Sequence, residues 1–262
     1  MKALREIAHR PTGPWRGRPG SPGRNGVQGR SQDRDRSGTR ELLPSARGAR
    51  RVHRIGVPLM HSLWHVSQHG TANFPRGGAV ILAVNHTSFL DGPLIASVAP
   101  RPVHFLIKKE VFVGPLGPIL ERGLGQIPID RHHPDRAAIQ TSLATLRSGG
   151  VLGMFPEGTR TTGEFESVHN GLAYFALTTG TPVLPVACLG TGTNGRTIGA
   201  LPTPRARLDL VYGTPLSPQE LSQGAEGLGR RQKIAAISEE LRVRLAAHVQ
   251  YAKQLTGRDN ET

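Results

Sequence analysis

His86 and Asp91, within Asn85-His86-Thr87-Ser88-Phe89-Leu90-Asp91, have the residue types and the spacing to move a proton. An imidazole with one nitrogen fixed by a carboxylate keeps the other available as a general base near neutral pH. The run before them, Ala79-Val80-Ile81-Leu82-Ala83-Val84, is apolar on both faces, as expected of a covered and parallel strand. Open α/β sheets place their ligands beyond the carboxyl ends of such strands. Ser88-Phe89-Leu90-Asp91 also fits a capping box in which Asp91 reaches back to the Ser88 amide. That account leaves Asn85 and His86 unexplained.

Two further clusters follow apolar runs. Phe155-Pro156-Glu157-Gly158-Thr159-Arg160 reads as a turn at Pro-Glu-Gly. A turn alone does not ask for Glu157 and Arg160 three residues apart. An arginine there suits anionic oxygens, to which its fork offers paired donors, and Glu157 can accept from a hydroxyl. Gly125-Gln126-Ile127-Pro128-Ile129-Asp130-Arg131 puts a second arginine after another strand, where a surface Asp–Arg pair is the plainer reading. Together, two arginines and a His–Asp couple at strand ends can bind an anion and deprotonate a hydroxyl.

The elements needed to gather these residues are legible. Strands are expected at 79–84, Val103–Ile107, Gln126–Ile129, Val151–Phe155, Pro182–Leu189 and Ala206–Tyr212. Between them the spacing predicts helices from Ile55 to about Val66, from near Ser88, over Pro115–Glu121, over Asp135–Arg147 with its stop at Gly149-Gly150, and over Gly171–Thr178. A long helix from about Leu228 carries the stripe Ile234, Ile237, Leu241, Leu245 and Val249. This alternation predicts an α/β fold: a mixed, mostly parallel sheet flanked by helices.

The charge is uneven. Residues 1–56 hold 14 Lys/Arg against 4 Asp/Glu, or +10 of the +14 on the whole chain. The stretch 1–50, rich in Arg, Gly, Pro and Ser, buries too little to fold and is expected to be a disordered basic tail before a domain at 51–262. Such a tail can bind nucleic acid, bind anionic lipid, or be a solvated leader of the kind an upstream in-frame start would add. No nucleic-acid module accompanies it, and no nucleic-acid partner is expected. The single cysteine, Cys188, rules out an internal disulfide and fits a reducing compartment as a small buried hydrophobe. No apolar run is long enough to span a bilayer, and the amino terminus lacks a secretory apolar core. Trp64 and the apolar face of the 55–66 helix leave open either core packing or rest on a lipid surface. His61 and His65 are one turn apart without a third ligand, so a surface position is favoured over a metal.

With these residues in view, the chain resembles the glycerolipid acyltransferases typified by lysophosphatidic acid acyltransferase. His86-x4-Asp91 matches their first motif, Gly125–Arg131 their second, Phe155–Arg160 their third and Val183-Leu184-Pro185-Val186 their fourth, in order and spacing over about 55–215. The resemblance implies that His86 takes the proton of a glycerol hydroxyl while Asp91 orients the imidazole. The hydroxyl then attacks the thioester of an acyl-CoA or acyl-carrier protein. It further implies that Arg131, Glu157, Gly158, Thr159 and Arg160 hold the acceptor, and that Val183 and Pro185 shape the acyl pocket. No metal or cofactor is implied, because the thioester is already activated. The implied partners are a lysophospholipid, an acyl donor and the cytoplasmic face of a membrane, held peripherally. The first acceptor to consider is 1-acyl-sn-glycerol 3-phosphate, which would give phosphatidic acid. The alternatives are glycerol 3-phosphate, another lysophospholipid or a lipid glycoside. Many relatives carry Lys-Lys-Gly about a dozen residues after the third motif; here the residues are His169-Asn170-Gly171, which points toward a different head group. A reading of another class is an inactive lipid- or nucleic-acid-binding protein.

Overall fold

The computed structural model describes residues 43–114, 117–158, 162–192 and 201–258. The expected tail therefore lies almost wholly outside the described residues. Chain order gives α1 (Ala46–Leu63), β1 (His65–His69), β2 (Val80–Val84), α2 (Asp91–Val98), β3 (Val103–Lys108) and β4 (Ile127–Ile129). It continues with α3 (Arg136–Arg147), β5 (Val151–Met154), α4 (Gly171–Thr179), β6 (Val183–Leu189), β7 (Arg207–Tyr212), the single turn α5 (Pro218–Leu221) and α6 (Arg230–Thr256).

The seven strands form one sheet in the order β1-β7-β6-β2-β5-β3-β4. Every pairing is parallel except β6 with β7, so β1 and β7 run against the other five. The sheet is mixed and mostly parallel, as the alternation requires. Successive residues of β2 go to opposite faces. Ile81 and Ala83 join Leu172, Ala176, Leu241 and Leu245 under α4 and α6. Val80, Leu82 and Val84 join Leu94, Ile95 and Met60 under α2 and α1. Both faces are covered, which is why the run is apolar throughout.

Three expectations need correction. The first helix starts at Ala46, caps on Ser45, whose side chain accepts from the Gly48 amide at 3.1 Å, and ends at Leu63. Residues 46–50, assigned to the tail, are its first turns, and Val66 belongs to β1. The histidine-rich 65–69 stretch is polar enough to hide a strand, because it is an edge strand paired on one side only. Trp64 faces inward and its indole donates to Pro202 O at 3.3 Å, whereas Ile55, Leu59 and Leu63 are exposed. The region expected as a helix from Pro115 carries a π-type turn over Ile119–Gly123; Pro115 and Leu116 lie outside the described residues.

Two histidines are built into this frame as neutral groups. His104 on β3 donates through Nδ1 to Gly125 O at 2.7 Å, and His248 on α6 bonds Val211 O at 2.9 Å. Burial holds both imidazoles below the ordinary 6.5, more than the carbonyl bonds raise them. The unfolded chain therefore binds more protons between the lowered values and about 6.5. Stability is full above about pH 6.5 and is lost as pH falls through the lowered values. Urea midpoints at pH 5 are expected below those at pH 7.5.

Candidate active site

The polar residues that close β2, β4, β5 and β6 lie at the carboxyl ends of the strands, on one side of the sheet, because these strands run in the same direction. Asn85 continues β2 with its side chain: Nδ2 donates to Cys188 O at 3.1 Å, and Oδ1 accepts from the Cys188 amide at 2.7 Å. This ties the end of β2 to the end of β6 and answers why a polar residue closes an apolar strand.

His86 follows, with Nδ1 3.0 Å from Asp91 Oδ2. Its ring stacks on Phe155, centroids 4.0 Å apart and planes at 23°, and Phe155 stacks in turn on Phe105. One ring face and one nitrogen are thus fixed. Among the described residues no group bonds Nε2. Because Asp91 is a carboxylate that accepts, the proton sits on Nδ1 and Nε2 carries the lone pair.

Asp91 is fully buried at the first turn of α2, where helix amides favour negative charge. Oδ2 also accepts from the Thr87 amide at 2.9 Å and the Ser88 amide at 2.8 Å. One oxygen thus makes both the expected reach to the Ser88 amide and the contact that orients His86, but no capping box forms: α2 begins at Asp91 itself, and the Ser88 hydroxyl accepts from the Leu90 amide at 3.2 Å. Oδ1 accepts from the Thr191 hydroxyl at 2.5 Å and the Cys188 thiol at 3.6 Å. Burial first, and then the Asp91 charge, push the Cys188 thiol well above its usual range, so it stays protonated and can donate.

Glu157 is buried and braces the loops. Oε2 accepts from the His86 amide at 3.3 Å and Oε1 from the Phe165 amide at 3.0 Å. Gly158 closes the turn on Phe155 O at 3.0 Å, and its own carbonyl accepts from the exposed Arg131. The second and third clusters thus meet. His169, just before α4, packs against this turn, with its amide on Pro156 O at 2.9 Å. Thr159 and Arg160 lie outside the described residues. The returning chain at Gly163 lies so close to Thr87 that a Cβ there would come within 2.6 Å of Thr87 Cγ2.

Val183 and Pro185 do not join this cluster. Both are buried within β6, in register with Ile81 and Ala83. Val183 therefore sits five residues before His86, about 16 Å back along the strand. What β6 brings to the site is Cys188 and the Thr191 that follows. Thr191 and Thr87 were not singled out from the sequence. The available signal was position: Thr191 follows a covered parallel strand, as His86 does.

An imidazole oriented in this way has the geometry of a proton acceptor at Nε2, and the exposed Arg131 on the Gly158 carbonyl is of a type suited to an anion. Residues 65–189 match the family model described as Acyltransferase. The chain is 26% identical over 182 residues to the 1-acyl-sn-glycerol-3-phosphate acyltransferase of Bacillus subtilis, covering 69% of this chain and 86% of that protein. It is 39% identical over 110 residues to the lyso-ornithine lipid O-acyltransferase of Pseudomonas aeruginosa, covering 41% of this chain and 42% of that one. In fold it is similar to the crystal structure of the 1-acyl-sn-glycerophosphate (LPA) acyltransferase of Thermotoga maritima, with a TM-score of 0.59 and 23% identity over 86% of this chain and 84% of that one.

Proposed function

We propose that this acyltransferase moves a fatty acyl group from a thioester to the free hydroxyl of 1-acyl-sn-glycerol 3-phosphate, giving phosphatidic acid. The observation that carries this reading is the His86–Asp91 pair, 3.0 Å apart, with Nε2 left open at the carboxyl ends of the strands. Nε2 takes the hydroxyl proton as the oxygen bonds to the thioester carbonyl carbon. The tetrahedral adduct then breaks its C–S bond, and the imidazolium returns the proton to the departing sulfur. Ester and free thiol are the products, and His86 ends as it began. Asp91, bonded to Nδ1, steadies the transient imidazolium. The donor is acyl-CoA or acyl-carrier protein; the thioester supplies the activation, so no cofactor enters the scheme.

Arg131, held on the Gly158 carbonyl, is the described cation best placed for the acceptor phosphate. Arg131→Ala is expected to raise KM for lysophosphatidic acid about ten-fold with kcat within about two-fold, since exposed arginine–phosphate pairs act in binding. A zwitterionic lysolipid should show no such change. Steady-state rates with the two acceptors check this.

We place the enzyme on a membrane surface, with α1 as the contact. Arg47, Arg50, Arg51 and Arg54 are exposed on its first half, and Ile55, Leu59 and Leu63 on its second. A basic and apolar outward face suits anionic lipid. No described helix is long and apolar enough to cross a membrane.

A second reading keeps the chemistry and changes the acceptor. His169 stands where a lysine would strengthen phosphate binding, and the lyso-ornithine lipid relative shows the highest identity quoted above. Acceptor competition between lysophosphatidic acid and a lyso-ornithine lipid decides between the two.

A further inference from the structure

Asp91 has no freedom to choose its own orientation. It is fully buried and its Oδ2 is committed to His86 and two main-chain amides. Its rotation about the last side-chain bond is then set by what meets Oδ1. Two donors do: the Cys188 thiol, weak and at 3.6 Å, and the Thr191 hydroxyl, short and fully buried. A hydroxyl has one proton. Because that of Thr191 goes to the carboxylate, the Thr87 hydroxyl at 3.3 Å must donate to Thr191 rather than accept from it. The chain of donors therefore runs Thr87 to Thr191 to Asp91, one direction throughout.

The loop bearing Thr191 is closely packed from outside at Gly190. Gly190 lies at φ +81, a conformation glycine adopts freely, and a Cβ there would meet Arg207 O at 2.4 Å and the Arg258 guanidinium at 2.7 Å. Arg258, two residues beyond α6, donates through Nη2 to Arg207 O at 2.6 Å and through Nε to Asp209 Oδ2 at 3.1 Å. Asp209 is buried and also bonds His69 and Arg207. Arg207 and Arg258 thus pack closely against the backbone at Gly190, next to the residue that meets the acid.

We infer that Thr191, whose hydroxyl meets Asp91 Oδ1, is a positioning residue for acyl transfer, acting through Asp91 on the His86 imidazole. The inference rests on the reading of His86 as the base. It gives the residue after β6 a task at the proton-transfer site. Without the hydroxyl, Oδ1 loses its strong donor in a place water does not reach. The carboxylate then draws more strongly on the imidazole proton and is free to turn, so both the base and its angle suffer.

The test compares wild type with Thr191→Val, Thr191→Ser and His86→Ala in acyl transfer from oleoyl-CoA to lysophosphatidic acid. Valine is expected to lower kcat about ten-fold, the scale of a hydrogen bond to a charge, with KM within about two-fold. It should also move the acid limb of the kcat–pH profile to higher pH. Serine, which restores the hydroxyl, is expected to recover kcat to within about three-fold of wild type. Thr191→Ala removes the hydroxyl without pressing a methyl on Oδ1 and serves if the valine protein does not fold. Wild-type kcat and profile in the valine or alanine protein, beside an inactive His86→Ala, would overturn this inference alone. Equal losses in serine and valine would overturn it too, because the hydroxyl would then not be the cause. Activity in His86→Ala would instead remove the reading beneath it.

Discussion

Asp91→Asn is expected to lower kcat about 10³-fold and to cost about 3 kcal/mol of stability, the larger combined effect of any single change here. The carboxylate accepts five donors with no solvent contact: His86 Nδ1, the Thr87 and Ser88 amides, the Thr191 hydroxyl and the Cys188 thiol. An amide has one accepting atom. If that atom faces the main chain, the NH2 group meets the thiol and the hydroxyl, which must turn from donating to accepting and so reverse the Thr87–Thr191 chain. If it faces them, the NH2 group meets two backbone amides, and buried donors go unpaired. Either way a neutral group no longer steadies an imidazolium. Turnover at saturating substrate measures the first effect and urea unfolding the second.

His86→Ala is expected to cost 10²- to 10⁴-fold in kcat, the span of a positioned general base. Stability should fall only about 1–2 kcal/mol, since the ring's losses are one face against Phe155 and one bond to Asp91. KM is expected to change little, because substrate binding is assigned to Arg131 and the turn at Gly158. The two substitutions thus separate: one removes the base from a sound scaffold, the other removes the base's support and part of the scaffold with it.

The runs that became β2, β5 and β6 were readable because both their faces are covered, and burial leaves a continuous apolar signature. β1 was not, since an edge strand of His, Ser and Gln presents no such run. His86 and Asp91 stood out because polar residues closing an apolar strand need a reason, and the structure sets them within hydrogen-bond distance. Glu157 shows the limit. Its residue type announced an acceptor of hydrogen bonds, but only the folded turn reveals that the donors are the amides of His86 and Phe165. Cys188 was legible as buried; that its thiol points at Asp91 was not, because the partner lies 97 residues away in sequence. Residues that follow different strands share a site through topology, which no local pattern writes down.

The most direct measurement is mass spectrometry of lipid products after wild type and His86→Ala are each given mixed acyl thioesters and mixed lysolipids. Wild type is expected to yield a diacyl lipid with one equivalent of free thiol, and the folded variant none above the uncatalysed background. The same diacyl lipid formed at the same rate by both proteins would contradict the account.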